Sequence, residues 1–369
     1  MIGPFATSGM NFATNWPVPE PRRGQLDAFL SRTGWAEASV ETLGSDASRR
    51  RYHRVWSPVT GLSAMVMDAP PEAGEDIRPF VRVAAMLRRC GLSAPETWEA
   101  DEKAGFLLLE DFGDARFASV CSGHPEMEFE LYAAAVDALV RLHRHSPTGL
   151  EPYDRETCTS ESRLFTSWFL PAVTGRPVVA GTEDEFLSLV VRAFDETCSI
   201  PEADRVIVLR DYHAENIMWL SDRDDEHRAG ILDFQDAVAG HPAYDLVSLL
   251  EDARRDTSES LQESVKGRYI GSVFGSRETE AFQEETRAFE AAYAVLGAQR
   301  NLRILGVFSR LCIRDGKFTY VDLIPRVWGH LQKDLKHPAL AELAEWILRE
   351  VPHPGEGILS RIRKRAHGS

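Results

Sequence analysis

Three oxygen-bearing residues stand out by type and spacing. Asp211 follows the apolar run 206–209, with Arg210 between, so its carboxylate emerges just past the end of a buried strand. Asn216 lies five residues on and heads a second apolar run, 217–220, and Asp233 closes a third, 230–232. If the second and third runs form a hairpin about the acidic turn near Asp224, pairing Leu220 with Ala229 sets Asn216 opposite Asp233. An amide oxygen and a carboxylate then share one end of the hairpin beside Asp211. Hard divalent cations take such oxygen donors. A free carboxylate near an acceptor hydroxyl and two oxygen ligands for magnesium are what phosphoryl transfer from ATP requires.

The periodicity of the chain suggests the elements that carry these residues. Residues 1–24 read as an irregular N-terminal arm, with prolines at 4, 17, 19 and 21 and no acid or base before Glu20. Residues 25–108 read as a small α+β lobe. It has a helix near 26–33, a Gly/Ser turn, strand-like runs 52–56 and 62–67, and a helix with Phe80, Val83, Ala84 and Leu87 on one face. The segment GFLLLEDFGD gives a short buried strand and then a polar break, so 109–114 is expected to be a hinge. From 115 to 369 the pattern is helical. Leu131, Ala135, Ala138 and Leu142 form a stripe within 127–145, and a helix beginning near Ala243 runs through Leu246, Leu249, Leu250 and Ala253.

Arg210, Asp211 and Asn216 resemble the protein-kinase catalytic loop, with Leu209 where that loop has histidine. Asp233-Phe234 resembles the metal-binding Asp-Phe-Gly, with Gln235 where that motif has glycine. Asp111-Phe112-Gly113 spells the same triplet but precedes Asp211, whereas the metal aspartate follows the catalytic loop. The wider set Asp211, His213, Asn216, Asp233, Asp236, Pro242, Ala243, Tyr244 and Asp245 is similar to the aminoglycoside phosphotransferase and choline kinase superfamily. Within it, GSDASRRRYHR, MDAPPE, LLLEDFGD, LRDYHAEN, LDFQDAVAGHPAYDLVSLLEDARRD and IPRVWGHLQKDLKHPAL resemble the anomeric sugar kinases that act on N-acetylmuramate and N-acetylglucosamine.

The resemblance covers residues 44–340 and implies a bilobal, protein-kinase-like α+β fold. It further implies ATP- and magnesium-dependent phosphorylation of the anomeric hydroxyl of those sugars, a step in cell-wall sugar recycling. Asp211 would orient and deprotonate the hydroxyl, Asn216 and Asp233 would hold magnesium, and Asp245 would brace the catalytic loop by accepting backbone N–H bonds. Glu110, Asp111 and Phe112 would meet the adenine through backbone groups.

One departure from the kinase pattern matters. Such folds place a lysine on the third strand of the small lobe to hold phosphates, yet Lys103 is the first lysine of this chain and the candidate strand ends in Asp68. Either an arginine does that work, or magnesium and backbone N–H groups do it unaided. The turn Gly44, Ser45, Asp46, Ala47 and Ser48 permits close backbone approach to phosphates. Arg50, Tyr52 and Arg54 share one face of the strand that follows, which makes Arg50 and Arg54 the candidate cations.

Substrate contacts fall to Arg210, Asp236, Arg254 and Arg255. Asp236 suits a second metal or a sugar hydroxyl. Arg254 or Arg255 suits a lactyl carboxylate, because a guanidinium fork matches a carboxylate in two parallel bonds. The i,i+4 spacing of Glu251 to Arg255 equally fits a salt-bridged helix face. Two rival functions remain: a kinase of a cationic small molecule such as an aminoglycoside or choline, suited to an acidic chain, and a nucleotide-binding scaffold without catalysis, suggested by the absent lysine.

The 369 residues suffice for about two domains. With 42 Lys and Arg against 57 Asp and Glu, the formal charge of −15 argues against a nucleic-acid partner. Five scattered cysteines without a CxxC suggest neither a zinc site nor a disulfide framework. No apolar run is long enough to span a bilayer, and the first residues lack a signal-peptide pattern. A cytoplasmic enzyme with small-molecule partners is expected, without a membrane or obligatory protein partner.

Overall fold

A computed structural model of the chain describes residues 20–44, 49–275 and 279–365. Its strands and principal helices are α1 Glu20–Arg32, β1 Ser39–Leu43, β2 Arg51–Trp56, β3 Ser63–Asp68, α2 Arg78–Arg89, β4 Thr97–Asp101, β5 Phe106–Glu110, α3 Phe117–Gly123, α4 Glu128–Leu142, α5 Arg155–Leu164, α6 Leu170–Thr174, α7 Ala180–Thr197, β6 Val206–Val208, β7 Ile217–Trp219, β8 Ala229–Ile231, β9 Val238–Gly240, α8 Ala243–Leu250, α9 Glu259–Phe274, α10 Glu280–Asp315, α11 Ile324–Asp334, α12 Ala341–Glu350 and α13 Glu356–Arg365. The fold is α+β. It divides into two compact units that do not follow the linear order of the chain. One joins Met1–Leu131 to Glu215–Asp236, and the other joins Tyr132–Ala214 to Ala237–Ser369.

The first unit is built on a five-stranded sheet of order β1-β2-β3-β5-β4, antiparallel throughout. Alternation along the strands turns Val55, Ala64, Val66, Phe106 and Leu108 to one face, where Leu26, Phe29 and Leu30 of α1 close the core. The helix expected near 26–33 therefore begins earlier, at Glu20. Arg22 explains the extension: it is buried, pairs with Asp68 at the end of β3 and lies 4.2 Å from the Phe106 ring centroid. β1 and β4 were not legible because SVETL and TWEAD are largely exposed edge strands with little apolar alternation. In α2, the expected Phe80, Val83, Ala84 and Leu87 are all buried, and Phe80 packs on Phe234.

Residues 215–236 add the hairpin β7–β8 to this unit. The register is one residue away from the expected one: Ile217 faces Ile231, Met218 faces Gly230 and Trp219 faces Ala229. A one-residue slip moves side chains to the opposite face. Asp233 offsets it by adopting a left-handed backbone, φ 55°, just past the strand.

The second unit is helical apart from the pair β6–β9. Side-chain caps start three of its helices: Asp154 accepts the Thr157 N–H, Ser258 that of Leu261, and Thr279 that of Phe282. The 36-residue α10 packs against α5, α7, α8 and α11. The helix expected to run from Ala243 through Ala253 stops at Leu250. Glu251 turns inward, where the Asn301 amide donates to it at 2.8 Å, and the Asp252 carboxylate accepts the Arg254 N–H at 2.8 Å. Side-chain bonds of this kind compete with helix continuation. Glu251 and Arg255 thus do not form an i,i+4 pair, and Asp256 pairs with Arg326 instead.

Candidate active site

In the first unit, the end of the β7–β8 hairpin gathers the candidate metal ligands. The Asn216 carbonyl accepts the Leu232 N–H at 2.9 Å, and the Asn216 amide donates to Asp233 Oδ2 at 3.4 Å. Gln235, standing where the kinase motif has glycine, donates to Asp233 Oδ1 at 3.0 Å and to Asp236 Oδ2 at 3.2 Å. Gln235 therefore cross-links the two aspartates. The donor set is one amide oxygen and two carboxylates, all hard oxygens. Among the described residues no group of three or more His, Cys, Asp or Glu forms a metal cage. Such a sparse set fits magnesium, which keeps several waters and completes its shell on phosphates.

The candidate cations at and just before β2, Arg54 and Arg50, take different paths. Arg50 Nε donates to Glu75 Oε2 at 2.8 Å, and Arg50 also feels the charge of Asp236. Neighbouring Tyr52 has its phenol pushed up to about 12, by burial first and then by the charge of Asp233. Arg50, Tyr52, Glu75, Asp233 and Asp236 thus form one electrostatic group. Arg54 is drawn elsewhere: it donates to Asp114 Oδ1 at 2.8 Å and to the Gly113 carbonyl at 2.9 Å, and pairs with Asp111 at 2.8 Å. Its fork is spent on the segment after β5. Gly44 is exposed at the end of β1, while Ser45, Asp46, Ala47 and Ser48 lie outside the described residues.

Arg223 organises the expected hinge. It pairs with Glu110, donates to Ser93 Oγ at 2.8 Å and lies 5.1 Å from the Phe112 ring centroid. The sequence gives Arg223 no motif, since it sits in an acidic turn far from Glu110.

The second unit holds Asp211. β6 ends in a tight turn with Arg210 at φ 73°, a left-handed conformation unusual for a side chain of that size. Asp245, fully buried in the first turn of α8, secures the turn. Its Oδ2 accepts the Leu209 N–H at 2.7 Å and its Oδ1 the Arg210 N–H at 2.8 Å. Burial pushes the Asp245 carboxyl up to about 7 despite these two bonds, and the charge of Asp211 adds to the rise. Burial alone would raise Asp211 as well. Arg303, His213, Arg300 and Arg210 outweigh it and hold Asp211 below the ordinary aspartate range.

The Arg210 guanidinium pairs with Glu161 of α5, whose other oxygen accepts the Tyr153 hydroxyl at 2.8 Å. Arg210 is thus held by protein rather than presented to solvent. Arg255 lies 5.9 Å from the Tyr132 ring centroid and donates to the Asp256 carbonyl. Arg254 is exposed and contributes to the field at His213. Glu161, Arg300 and Arg303 escaped the sequence reading. The only trace was the polar run Gln299-Arg300-Asn301 inside an otherwise apolar stretch of α10, all three of which are buried.

A family model described as "Phosphotransferase enzyme family" matches residues 39–282 of the chain. A curated protein of Caulobacter vibrioides named N-acetylmuramate/N-acetylglucosamine kinase is 36% identical over 367 residues, covering 90% of this chain and 97% of that protein. One of the same name from Pseudomonas aeruginosa is 36% identical over 339 residues, covering 90% and 95%. Among solved structures, choline kinase from Cryptosporidium parvum superposes with a TM-score of 0.58 at 12% identity, covering 89% of this chain and 100% of that one. That likeness is one of fold, and the fold is the protein-kinase-like one.

Proposed function

The chain belongs to the phosphotransferase enzyme family, and from that premise we propose that it transfers the terminal phosphoryl group of ATP to the anomeric hydroxyl of N-acetylmuramate and N-acetylglucosamine. The observation that carries the choice of substrate is the 36% identity, over nine-tenths of the chain, to kinases named for those two sugars. The product is a sugar 1-phosphate, which suits the salvage of cell-wall sugars.

In this reading Asp211 orients the hydroxyl and accepts its proton. Its lowered pKa keeps it ionised at neutral pH, so it is ready as an acceptor before the reaction. Asp245 and the strained Arg210 fix the direction of that carboxylate and act as positioning residues. Asn216 and Asp233 would hold magnesium, which when bound neutralises charge on the phosphates. Asp236 is offered to the same ion or to a sugar hydroxyl. Arg50, kept in place by Glu75, serves the phosphates in a lobe that lacks the kinase lysine. The backbone of Glu110, Asp111 and Phe112 meets the adenine, and Gly44 allows close backbone approach to the phosphates. Arg254 and Arg255 remain candidates for the sugar.

The test is ADP release, with and without magnesium, across N-acetylmuramate, N-acetylglucosamine, an aminoglycoside and choline. Magnesium-dependent release with the two amino sugars alone is expected. Turnover of choline or the aminoglycoside in preference to them would overturn the proposal.

A further inference from the structure

Three guanidinium groups act on the Asp211 carboxylate, those of Arg303, Arg300 and Arg210. Two of them are committed. Arg300 is buried, donating to the Glu251 carbonyl at 3.2 Å and to Ser248 Oγ at 3.0 Å. Arg210 is taken by Glu161.

Arg303 differs. Among the described residues its single partner is Glu161 Oε1, which its Nε approaches at 3.5 Å. Arg210 already occupies that oxygen, and the Tyr153 hydroxyl occupies the other. One carboxylate thus answers two guanidinium groups. The terminal nitrogens of Arg303 have no protein acceptor among the described residues, and its side chain is 19% exposed. Burial disfavours its charge, but Tyr244, Glu161 and Asp211 outweigh that and keep it cationic.

A surplus cation beside the acceptor carboxylate is out of keeping with a chain of −15. A neutral sugar offers it no counter-charge, whereas an anionic one would be repelled without it. Two terminal N–H groups in a planar fork suit a carboxylate. We infer that Arg303 is a specificity-determining residue that receives the lactyl carboxylate of N-acetylmuramate, the group that N-acetylglucosamine lacks. The inference rests on the amino-sugar reading above and shifts the carboxylate contact from the loop arginines Arg254 and Arg255 to α10.

The test compares kcat/KM for N-acetylmuramate, its methyl ester and N-acetylglucosamine in the wild type and in Arg303→Gln, Arg303→Lys and Arg254→Gln. Arg303→Gln should lose about ten-fold more on N-acetylmuramate than on N-acetylglucosamine. Esterification should cost the wild type a similar factor and the Gln variant little more, because the ester removes the same interaction. Arg303→Lys should recover part of the preference. Equal loss on both sugars would overturn the inference and give Arg303 to the phosphoryl group or to the fold. A larger selective loss in Arg254→Gln would also overturn it. If the wild type turns over neither sugar, the amino-sugar reading fails first, and this inference fails with it.

Discussion

Asp245 of α8 braces the turn that carries Asp211, and although burial raises both carboxyls they end on opposite sides of the ordinary aspartate range. Asp211 is surrounded by guanidinium groups and stays charged, while burial outweighs the two backbone N–H bonds and the charge of Arg300 at Asp245, which rises to about 7. Asp211→Asn should fold and bind nucleotide while turnover falls about 10²-fold or more, because an amide cannot take the hydroxyl proton. ADP release beside a nucleotide titration checks this, and near-normal turnover would remove Asp211 from the mechanism. Arg50, just before β2, and Arg54, within it, should separate in the same way. Arg50→Ala should weaken binding of a non-hydrolysable ATP analogue by about ten-fold, the scale of one charged hydrogen bond. Arg54→Ala should mainly lower the melting temperature, since its partners are Asp111, Asp114 and Gly113. Equal affinity losses would return Arg54 to the phosphates. Asp211, Asn216 and Asp233 were singled out in the sequence because the chemistry proposed for them demands particular types at short spacing. Arg303 and Glu161 were not, because they come from helices far apart in the chain and share no local pattern.

Elements that bury a regular stripe were legible in the sequence, as α2 and α4 show, and their boundaries were less so. α8 ends where Glu251 and Asp252 find side-chain bonds better than another turn, a competition invisible to periodicity. The β7–β8 register lies one residue from the expected one, and Asp233 offsets it by turning left-handed just past the strand, which alternation does not anticipate. Close approach of α10 to its neighbours is equally hidden, and Gly306 marks it. A Cβ there would lie 2.4 Å from the backbone carbonyl of Leu164, which has no flexible end to yield. Gly306→Ala should therefore destabilise by about 3 kcal/mol, the upper end of ordinary overpacking. Gly271, on the exposed side of α9, has open space for a Cβ, so Gly271→Ala should gain about 0.5 kcal/mol in helix propensity. Urea midpoints of the two variants check both signs. A neutral Gly306→Ala would mean that α10 shifts freely.

At the scale of the whole molecule, the chain leaves one compact unit and returns to it. A linear reading therefore expected a single boundary, where the structure has Glu215–Asp236 grouped with the strands rather than with the helices on either side. No helix among the described residues is long and apolar enough to cross a membrane. The balance of buried titratable groups sets how the second unit responds to pH. His143 and His241 are driven down by burial to about 3 and about 4. Both are neutral when folded and take up protons near 6.5 when unfolded, so the stability they contribute is full above pH 6.5. It is lost as pH falls toward 4 and 3, by at most about 1.4 kcal/mol per histidine for each pH unit. His241 also accepts the Ala243 N–H at 3.1 Å through Nδ1, a bond that protonation removes at the start of α8. Asp245 works the other way. Its folded carboxyl holds a proton up to about 7 that the unfolded chain releases near 4, so its contribution is present at low pH and lost as pH rises through that window. Denaturant midpoints at pH 4.5, 5.5, 6.5 and 7.5 should therefore diverge by variant. Relative to wild type, His143→Gln should become progressively more stable as pH falls below 6.5. Asp245→Asn should become progressively less stable over the same descent, because it lacks the proton that wild type gains. If both differences stay flat across the range, these groups titrate alike in the folded and unfolded chain, and burial does not set their acidity.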